Sequence, residues 1–315
     1  MWMGVREVSD TERLVIRGRT VDGATGGTVV GVRPGSDEWA YTGLEVVVVA
    51  AGSRRTVLLD GVEGLAVPLS GGCHIDVTGP RGERGSLTLA GRESVFDGPT
   101  DTGYLPVGSR ATIFAPARRS VRLALASGRA SRPRPIRLIR ADEAVSELRG
   151  AGRCSRRVVN YTLGTGVDVD HLLVCEVITP GGNVSSYPPH KHDEHSPVER
   201  ELEEIYYFEV ADGPAGPGMA YHRTYGTPER PIDVLAEVRT GDVALVPYGY
   251  HGPTIALPGY DLYYLNVMAG PARDRRWLMV DDPAHHWVRA SWADQSIDPR
   301  LLPEPTTVAS SEAPR

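Results

Sequence analysis

The sequence Tyr187-Pro188-Pro189-His190-Lys191-His192-Asp193 places two histidines at an i, i+2 spacing, directly after a pair of prolines. Side chains along a β-strand alternate between its two faces, so His190 and His192 in a strand point to the same side. The prolines disfavour a helix, in which a metal-binding pair of histidines would need an i, i+4 spacing. The stretch therefore predicts a β-strand with two imidazole ligands for one metal ion.

A carboxylate and a third histidine can complete this site from later parts of the chain. Acidic residues precede the segment Ile205-Tyr206-Tyr207-Phe208, whose aromatic and β-branched residues predict the next strand. His251 follows the turn-forming sequence Pro247-Tyr248-Gly249-Tyr250. Three imidazoles and one carboxylate suit Zn, Fe, Mn, Ni or Co, and four protein ligands leave open positions on a five- or six-coordinate ion. The residues alone leave three candidates for the carboxylate: Glu201, Glu203 and Glu204.

The combined pattern resembles the signature of the cupin superfamily, which is His-x-His, a later Glu, and then Gly-x5-Pro-x-Gly-x-His. The last part is Gly241-Asp242-Val243-Ala244-Leu245-Val246-Pro247-Tyr248-Gly249-Tyr250-His251. Cupins carry their carboxylate directly before an aromatic-rich strand, and Glu204 stands there, on the strand face that it shares with Tyr206. The resemblance therefore implies Glu204 as the carboxylate ligand, with Glu203 as the fallback. It implies a divalent ion (Zn, Mn or Fe) held by His190, His192, Glu204 and His251.

Segments in both halves of the chain narrow this resemblance. In the second half they are Ile178-Thr179-Pro180-Gly181-Gly182-Asn183, the stretch from Ser185 through the two histidines to Glu194, Leu202-Glu203-Glu204-Ile205-Tyr206-Tyr207-Phe208, Gly249-Tyr250-His251-Gly252-Pro253 and Tyr263-Tyr264-Leu265-Asn266-Val267-Met268-Ala269-Gly270. In the first half they are Val67-Pro68-Leu69-Ser70-Gly71-Gly72-Cys73 and Gly91-Arg92-Glu93-Ser94-Val95-Phe96-Asp97-Gly98. Together they resemble the 5-deoxy-glucuronate isomerase family of myo-inositol catabolism, over nearly the whole chain except its two tails. The long gap between His192 and Glu204 departs from generic cupins and predicts a charged hairpin excursion.

This family resemblance implies an aldose–ketose isomerisation, in which 5-deoxy-D-glucuronate becomes 5-dehydro-2-deoxy-D-gluconate through an enediol or enediolate. Such chemistry needs an electrophile that polarises the carbonyl, which a metal ion with open positions provides. It also needs groups that carry a proton. The candidates for proton transfer are Tyr206, which shares a face with Glu204, and then Tyr250, Tyr263 and Glu203.

The substrate of such an enzyme carries a carboxylate, for which a bidentate arginine is the natural partner. Arg223 is the first choice, because it shares a predicted strand face with Tyr221 and Tyr225. His222 has the opposite parity and is not expected to be a metal ligand, and neither is His195 in the charged hairpin.

Lys191 lies between the two histidine ligands in sequence, so its side chain faces away from the metal. We expect a salt bridge between Lys191 and Asp193 on that far face.

Three other functions are compatible with the same ligands. The first is an isomerase for a related uronate of the 4-deoxy-5-keto-uronate type, which would differ only in its sugar contacts. The second is an Fe(II) cupin dioxygenase, which would need iron and oxygen. The third is a non-enzymatic sugar-binding bicupin, against which the intact set of four ligands argues.

The remaining sequence predicts an all-β chain with two cupin-type barrels, each a β-sandwich or jelly roll. Short apolar runs alternate with turns, and the chain contains 36 glycines and 25 prolines. We predict an N-terminal degenerate barrel over residues 1–135, a C-terminal metal-binding barrel over residues 136–302 and a disordered tail over residues 303–315. Only His74 of the nine histidines lies in the first barrel, so that barrel cannot build the same site. Residues 142–148 predict a short helix.

Composition restricts the possible partners and location. The net charge of −6 and the absence of basic runs with interleaved aromatics disfavour nucleic-acid binding. The three cysteines are widely spaced, which indicates a reducing compartment without a disulfide framework. The chain shows neither a signal peptide nor an apolar run that could span a bilayer. We expect a cytoplasmic protein that binds a sugar acid and forms a homo-oligomer, because open barrel edges favour assembly.

Overall fold

Four antiparallel β-sheets form the framework of the structure, a computed structural model that describes residues 8–36 and 38–302. The strands of the first half, with one early strand that joins the second, are β1 (Val15–Ile16), β2 (Gly27–Val32), β3 (Thr42–Val49), β4 (Arg54–Leu58), β5 (Val62–Ser70), β6 (Cys73–Thr78), β7 (Arg84–Leu89), β8 (Thr102–Leu105), β9 (Arg110–Phe114), β10 (Val121–Arg129) and β11 (Arg137–Ile139).

The remaining elements belong to the second half, apart from the first helix. The strands are β12 (Val145–Arg149), β13 (Arg156–Asn160), β14 (Leu173–Thr179), β15 (Val184–Ser185), β16 (His190–Lys191), β17 (Glu203–Val210), β18 (Ala220–Tyr225), β19 (Asp233–Val238), β20 (Val243–Val246), β21 (Tyr250–Ala256), β22 (Leu262–Ala269) and β23 (Val280–Asp281). The α-helices are short, α1 (Asp10–Leu14) and α2 (Val288–Ser291). Single 3-10 turns occur at Val95–Asp97, Ala141–Glu143, Gly152–Cys154, Trp292–Asp294 and Pro299–Leu301.

Each half forms a two-sheet barrel, as the sequence predicts. In the first half, a six-stranded sheet (β11-β8-β5-β10-β3-β2) covers a four-stranded sheet (β4-β9-β6-β7), and Val47, Ile75 and Leu123 lie in the core between them. In the second half, a seven-stranded sheet (β1-β20-β17-β22-β14-β13-β12) covers a sheet ordered β19-β18-β21-β16-β23, with β15 paired to β21. Phe208 and Tyr264 belong to this second core.

The two large sheets pack against each other through their outer faces. This contact forms a third core, to which the first barrel contributes residues such as Val46 and Val67 and the second contributes Val174, Leu265 and Val267. As a result, β14, β17 and β22 are buried on both faces along their whole length. Burial on both faces explains why apolar residues occur on both faces of these strands and do not alternate with polar ones.

Two strands pair with the barrel on the other side of the predicted domain boundary, which lies between residues 135 and 136. β11 pairs with β8 in the first barrel, and β1 pairs with β20 in the second. The division into two domains remains a prediction, and the predicted disordered tail at residues 303–315 lies outside the described residues.

The predicted helix over residues 142–148 is wrong. The segment forms one 3-10 turn, Ala141–Glu143, followed by the edge strand β12. β12 pairs with β13 from Val145 opposite Asn160 to Arg149 opposite Arg156. The apolar spacing of Val145 and Leu148 fits a helical face, but the hydrogen bonds that an open sheet edge offers favour the extended conformation. No helix in the described part of the chain is long and apolar enough to cross a membrane.

Two buried glutamates tie the barrels together in a reciprocal way. Glu203, the first residue of β17, accepts hydrogen bonds from the backbone N–H groups of Ala40 at 2.6 Å, Tyr41 at 2.8 Å and Thr42 at 3.0 Å, where the chain enters β3 of the other barrel. A carboxylate that accepts several backbone N–H groups is a strong, charge-assisted link.

Glu63 makes the corresponding link in the opposite direction. It lies on β5 and accepts hydrogen bonds from the backbone N–H groups of Asp170 at 2.7 Å, His171 at 2.5 Å and Leu172 at 2.7 Å, just before β14. Each barrel therefore contributes one carboxylate that binds the entry to a central strand of its neighbour. We call Glu63 and Glu203 with these backbone groups the carboxylate clasps.

Replacing Glu203 with alanine should destabilise the protein, because three backbone N–H groups lose their acceptor. We expect the free energy of unfolding to fall by about 2–4 kcal/mol, measured by urea denaturation or as a lower thermal midpoint. Glu201→Ala, an exposed neighbour of the same residue type, is the matched control and should change stability by less than about 0.5 kcal/mol. Equal effects of the two substitutions would contradict the clasp.

Candidate metal centre and cavity

Three histidines meet inside the second barrel. His190 opens β16, His192 follows that strand, and His251 lies on β21 directly opposite His190 in the antiparallel register. One ring nitrogen of each lies within 4.8 Å of those of the other two, and all three residues are buried. The i, i+2 pair thus points to one side, as the sequence predicts, although the strand itself is only two residues long.

Backbone carbonyls orient all three imidazoles. The Nδ1 atoms lie 3.4 Å from the Pro188 oxygen for His190, 3.1 Å from the Leu202 oxygen for His192, and 3.2 Å from the Gly249 oxygen for His251. A carbonyl only accepts hydrogen bonds, so each Nδ1 carries the proton in the neutral ring, and each Nε2 keeps its lone pair. Metal-binding histidines are commonly held in this way. The Nε2 atom of His251 is buried and makes no hydrogen bond.

The carboxylate of Glu204 completes the cluster. Its Oε2 atom lies 2.9 Å from Nε2 of His192 and 3.1 Å from Nε2 of His251. Two ligands of one ion at about 2.1 Å stand roughly 3.0–3.4 Å apart at tetrahedral or octahedral angles, so these separations fit ligands that share an ion. The donor set therefore suits a divalent metal, and the structure brings together the four residues that the sequence predicts as ligands.

The electrostatics of the cluster favour a charged carboxylate. Burial alone would raise the pKa of Glu204, but the adjacent His192 and His251 imidazoles hold that pKa well below its usual range. Burial, together with the nearby His251 and His192 rings, lowers the pKa of His190 far below its ordinary value. An ionised carboxylate and neutral imidazoles are the forms that bind a metal ion.

Position in the chain and strand parity distinguish Glu204 from Glu201 and Glu203, the other candidates for the carboxylate ligand. Glu203 points away from the barrel interior into the carboxylate clasp, because neighbouring residues of β17 face opposite sides. Glu201 lies before β17 and is exposed.

Ion pairs of Lys191 on the outer side of the barrel connect the segments that carry the clustered histidines. Lys191 donates to Asp193 at 2.6 Å, which confirms the predicted salt bridge, and it also donates to the buried Glu199 at 3.0 Å. The other oxygen of Asp193 accepts the backbone N–H of Gly249 at 2.9 Å. Asp193 therefore links the strand that carries His190 to the turn that carries His251.

His222 also lies in the barrel, but its surroundings differ from those of the three clustered histidines. Its Nδ1 and Nε2 atoms lie 3.0 Å from Oγ1 of Thr254 and 3.2 Å from Oγ1 of Thr224. Burial, with a smaller contribution from His251, lowers the pKa of His222 to about 3. Both ring nitrogens are occupied by hydroxyl groups, in agreement with the expectation that His222 is not a ligand.

A cavity of about 240 Å³ opens beside the cluster and is bordered by His190 and Glu204. Tyr206 lines its wall, with its hydroxyl 3.1 Å from Oγ of Ser186, which in turn lies 3.2 Å from the hydroxyl of Tyr264. Burial and the nearby charge of Glu204 raise the pKa of Tyr206 well above its usual value. Three protonated hydroxyl groups thus form a connected chain in the cavity wall.

Two predicted site residues lie outside this cavity. Arg223 is bound to Asp233 and to the backbone oxygen of Val234 at 3.0 Å, and its guanidinium lies over the ring of Tyr225. Tyr250 stacks on the same Tyr225 ring with a centroid distance of 5.7 Å. The structure does not bring Arg223, the candidate for the substrate carboxylate, or Tyr250, a candidate for proton transfer, to this cavity, because His222 and His251 point inward and their sequence neighbours must point outward.

The remaining proton-transfer candidate, Tyr263, also faces the other way. Its hydroxyl donates to Glu176 at 3.0 Å in the contact between the barrels, whereas its neighbour Tyr264 lines the cavity. Sequence reasoning missed Ser186 and Tyr264. Only the parity of Tyr264 relative to its strand neighbour Tyr263 could have suggested either residue.

The sequence also failed to indicate six further residues that line the cavity. They come from two places, the β12–β13 hairpin and the segment that follows β22, and they are Arg149, Arg156, Trp277, Met279, Arg289 and Trp292. We call residues 270–302, the segment that follows β22, the C-terminal strap. Its strand β23 pairs with β16, so the strap lies directly against the strand of His190.

Two barrels of this topology, one of them with three clustered histidines and a glutamate, define a cupin-type protein with two barrels in one chain. Residues 15–288 match the KduI/IolB family, and the chain belongs to that family.

Similar proteins agree with this assignment. The chain is 42% identical over 266 residues to the 5-deoxy-glucuronate isomerase of Geobacillus kaustophilus. The matched region covers 84% of this chain and 92% of that protein. It is 38% identical over 259 residues to the 5-deoxy-glucuronate isomerase of Bacillus subtilis, with 82% and 91% covered.

Solved structures show the same fold. An IolB-like protein from Salmonella typhimurium superimposes with a TM-score of 0.77 at 32% identity, over 87% of this chain and 98% of that chain. The oxalate decarboxylase of Lactobacillus farciminis superimposes with a TM-score of 0.57 at 11% identity, over 85% of this chain and 88% of that chain, which shows a shared fold alone.

Metal content should depend on the clustered residues. We expect the purified protein to bind about one divalent ion per chain, and His251→Ala or Glu204→Gln to weaken that binding by about 100-fold or more, because each removes one ligand. Elemental analysis after dialysis against a buffered metal solution measures both. His195→Ala, an exposed histidine in the neighbouring hairpin, should retain the ion. Full metal content in the two ligand variants would exclude this site.

Proposed function

We propose that this protein interconverts 5-deoxy-D-glucuronate and 5-dehydro-2-deoxy-D-gluconate with the help of a divalent metal ion. The observation that carries the proposal is its 42% identity, over 84% of the chain, to a protein named 5-deoxy-glucuronate isomerase. The buried cluster of three histidines and one glutamate beside a cavity supports it. The ligands would be His190, His192, Glu204 and His251.

The donor set suits Zn, Mn or Fe in the divalent state. When bound, such an ion supplies a Lewis acid that polarises the substrate carbonyl and stabilises negative charge on the enediolate oxygen. Four protein ligands would leave open positions on a five- or six-coordinate ion for this, and the cavity is bordered by His190 and Glu204.

The hydroxyl chain in the cavity wall would handle protons. During the isomerisation, one proton must leave the carbon that bears the hydroxyl and reach the former aldehyde carbon, and a second must move between the two substrate oxygens that exchange carbonyl and hydroxyl character; the hydroxyl chain would serve the second transfer. The hydroxyl groups of Tyr206, Ser186 and Tyr264 can each donate and accept a hydrogen bond. The Ser186 hydroxyl lies between the other two, 3.1 Å from that of Tyr206 and 3.2 Å from that of Tyr264. Because the pKa of Tyr206 is raised, its hydroxyl stays protonated at neutral pH and acts as a donor to a substrate oxygen.

The strap at the cavity mouth would keep water away from the reacting carbons. Trp277 and Trp292 line the cavity together with His190 and Glu204, and the ring centroids of Trp277 and His190 lie 6.3 Å apart. Exclusion of water strengthens the hydrogen bonds and charge interactions on which an enediolate depends.

Isomerase activity should require the metal. We expect NMR to show conversion of 5-deoxy-D-glucuronate to the ketose by the metal-replete protein, loss of conversion with a chelator, and recovery when metal is added back. His190→Ala should abolish conversion, and His195→Ala should leave it unchanged. A folded, metal-replete protein that converts 4-deoxy-5-keto-uronate but not 5-deoxy-D-glucuronate would instead identify the related isomerase.

Tyr206→Phe tests the hydroxyl chain. We expect kcat to fall by about 10²–10⁴-fold, with a smaller change in KM and with metal content retained, because the ring keeps its packing and only the donor is lost. Tyr250→Phe removes a hydroxyl from the outer face of the same barrel and should have little effect. Similar losses in both variants would show that Tyr206 has no special role.

A further inference from the structure

Arg156 is a buried cation without an anionic partner. It is the first residue of β13, is 8% exposed and lines the same cavity as His190 and Glu204. Its guanidinium donates to the backbone oxygen of Cys154 at 3.1 Å. Within the described residues, no carboxylate lies at ion-pair distance from it. A buried charge without a partner is unfavourable, and proteins keep such groups where a ligand supplies the opposite charge.

The other two arginines of the cavity are already paired. Arg149 binds Glu147 at 2.5 Å, and Arg289 binds Asp281 at 2.7 Å. Burial lowers the pKa of Arg156, and the positive charges of Arg149 and Arg289 lower it further. The three cations therefore form a positive end of the cavity in which only Arg156 is free for an anion.

Unpaired hydrogen-bond donors surround the same space. The side-chain nitrogens Nδ2 of Asn266 and Nε1 of Trp277 are buried without a hydrogen-bond partner, and both residues line the cavity. The ring of Trp292 lies against the Arg156 guanidinium, 5.7 Å from its carbon to the ring centroid. Buried donors normally find acceptors, and the oxygen atoms of a sugar acid are suitable acceptors for them.

We propose that Arg156 binds the carboxylate of the substrate and makes the cavity selective for sugar acids over neutral sugars. The identity of the substrate rests on the proposed function. The charge preference itself applies to any aldose that carries a carboxylate at the end opposite its aldehyde. The carbonyl end would face the His190–Glu204 side of the cavity, and the carboxylate would face Arg156. Arg156 would be a specificity-determining residue.

Binding of D-glucuronate and D-glucuronamide tests the charge preference without turnover. The two sugars differ only in the charge of one end, and quenching of tryptophan fluorescence can report binding because Trp277 and Trp292 line the cavity. We expect the metal-replete protein to bind the carboxylate about tenfold or more tightly than the amide, and Arg156→Gln to remove this preference. An unchanged preference in Arg156→Gln would overturn the proposal.

Arg157→Gln is the matched control. Arg157 is the next residue of β13, faces the opposite side and donates to the backbone oxygen of Leu301 at 2.7 Å. The Arg157→Gln variant should keep the preference for the carboxylate, and loss of the preference in this variant as well would overturn the assignment to Arg156.

If Arg156→Gln does not fold, Arg156→Lys replaces it in the test, because a lysine keeps the charge but cannot form the bidentate contact. A carboxylate affinity as high as in the wild type would then count against the proposal.

Kinetics separate this proposal from the proposed function. With 5-deoxy-D-glucuronate, Arg156→Gln should raise KM by about tenfold or more while metal content stays at the wild-type level. A wild-type protein without isomerase activity that still shows an Arg156-dependent charge preference would refute the function and support the carboxylate site. An active wild type with normal KM in Arg156→Gln would refute the carboxylate site alone.

Discussion

The packing of the two large sheets against each other is the interaction on which the rest of the structure depends. It buries the outer faces of both barrels, including an ion pair in which Arg92 of the first barrel binds Glu176 of the second at 2.8 and 2.9 Å. The hydroxyls of Tyr161 and Tyr263 donate to the same carboxylate, each at 3.0 Å. A buried ion pair is favourable only when its hydrogen bonds are well satisfied, as they are here, so this contact favours one arrangement.

That packing gives neighbouring residues of one strand two different roles. On β17, Glu203 binds the backbone of the first barrel and Glu204 faces the histidines. On β22, Tyr263 binds Glu176 and Tyr264 lines the cavity. The first barrel lacks a corresponding histidine cluster, but it supports the metal centre because it holds the backs of the strands that carry the site.

Much of the fold and part of the site follow from sequence patterns. Apolar runs between turns predict the strands, and the i, i+2 histidines with Glu204 and His251 predict a cluster that the structure assembles. The errors have physical causes. Residues 142–148 have an apolar spacing that fits a helix, and pairing with β13 decides otherwise. Arg223 and Tyr250, candidates for carboxylate binding and proton transfer, do not line the cavity, because their neighbours His222 and His251 occupy the inward face.

The C-terminal strap was beyond sequence reasoning for a different reason. Trp277, Trp292 and Arg289 belong to a segment with little regular structure, and its place is set by pairing of β23 with β16. Arg156 likewise stands in a polar stretch in which no pattern distinguishes it from Arg153 or Arg157. Its burial without an anion becomes visible only when β13 lies beside the cavity.

The sequence by itself determined the all-β class, the resemblance to a sugar-acid isomerase family and the four residues of the candidate metal centre, because these depend on residue type and on spacings within single strands. Only the tertiary structure decided which face of each strand meets the cavity, which glutamate joins the barrels and which arginine is left without a partner. Those properties depend on contacts between residues far apart in the chain, and a one-residue change of parity reverses them.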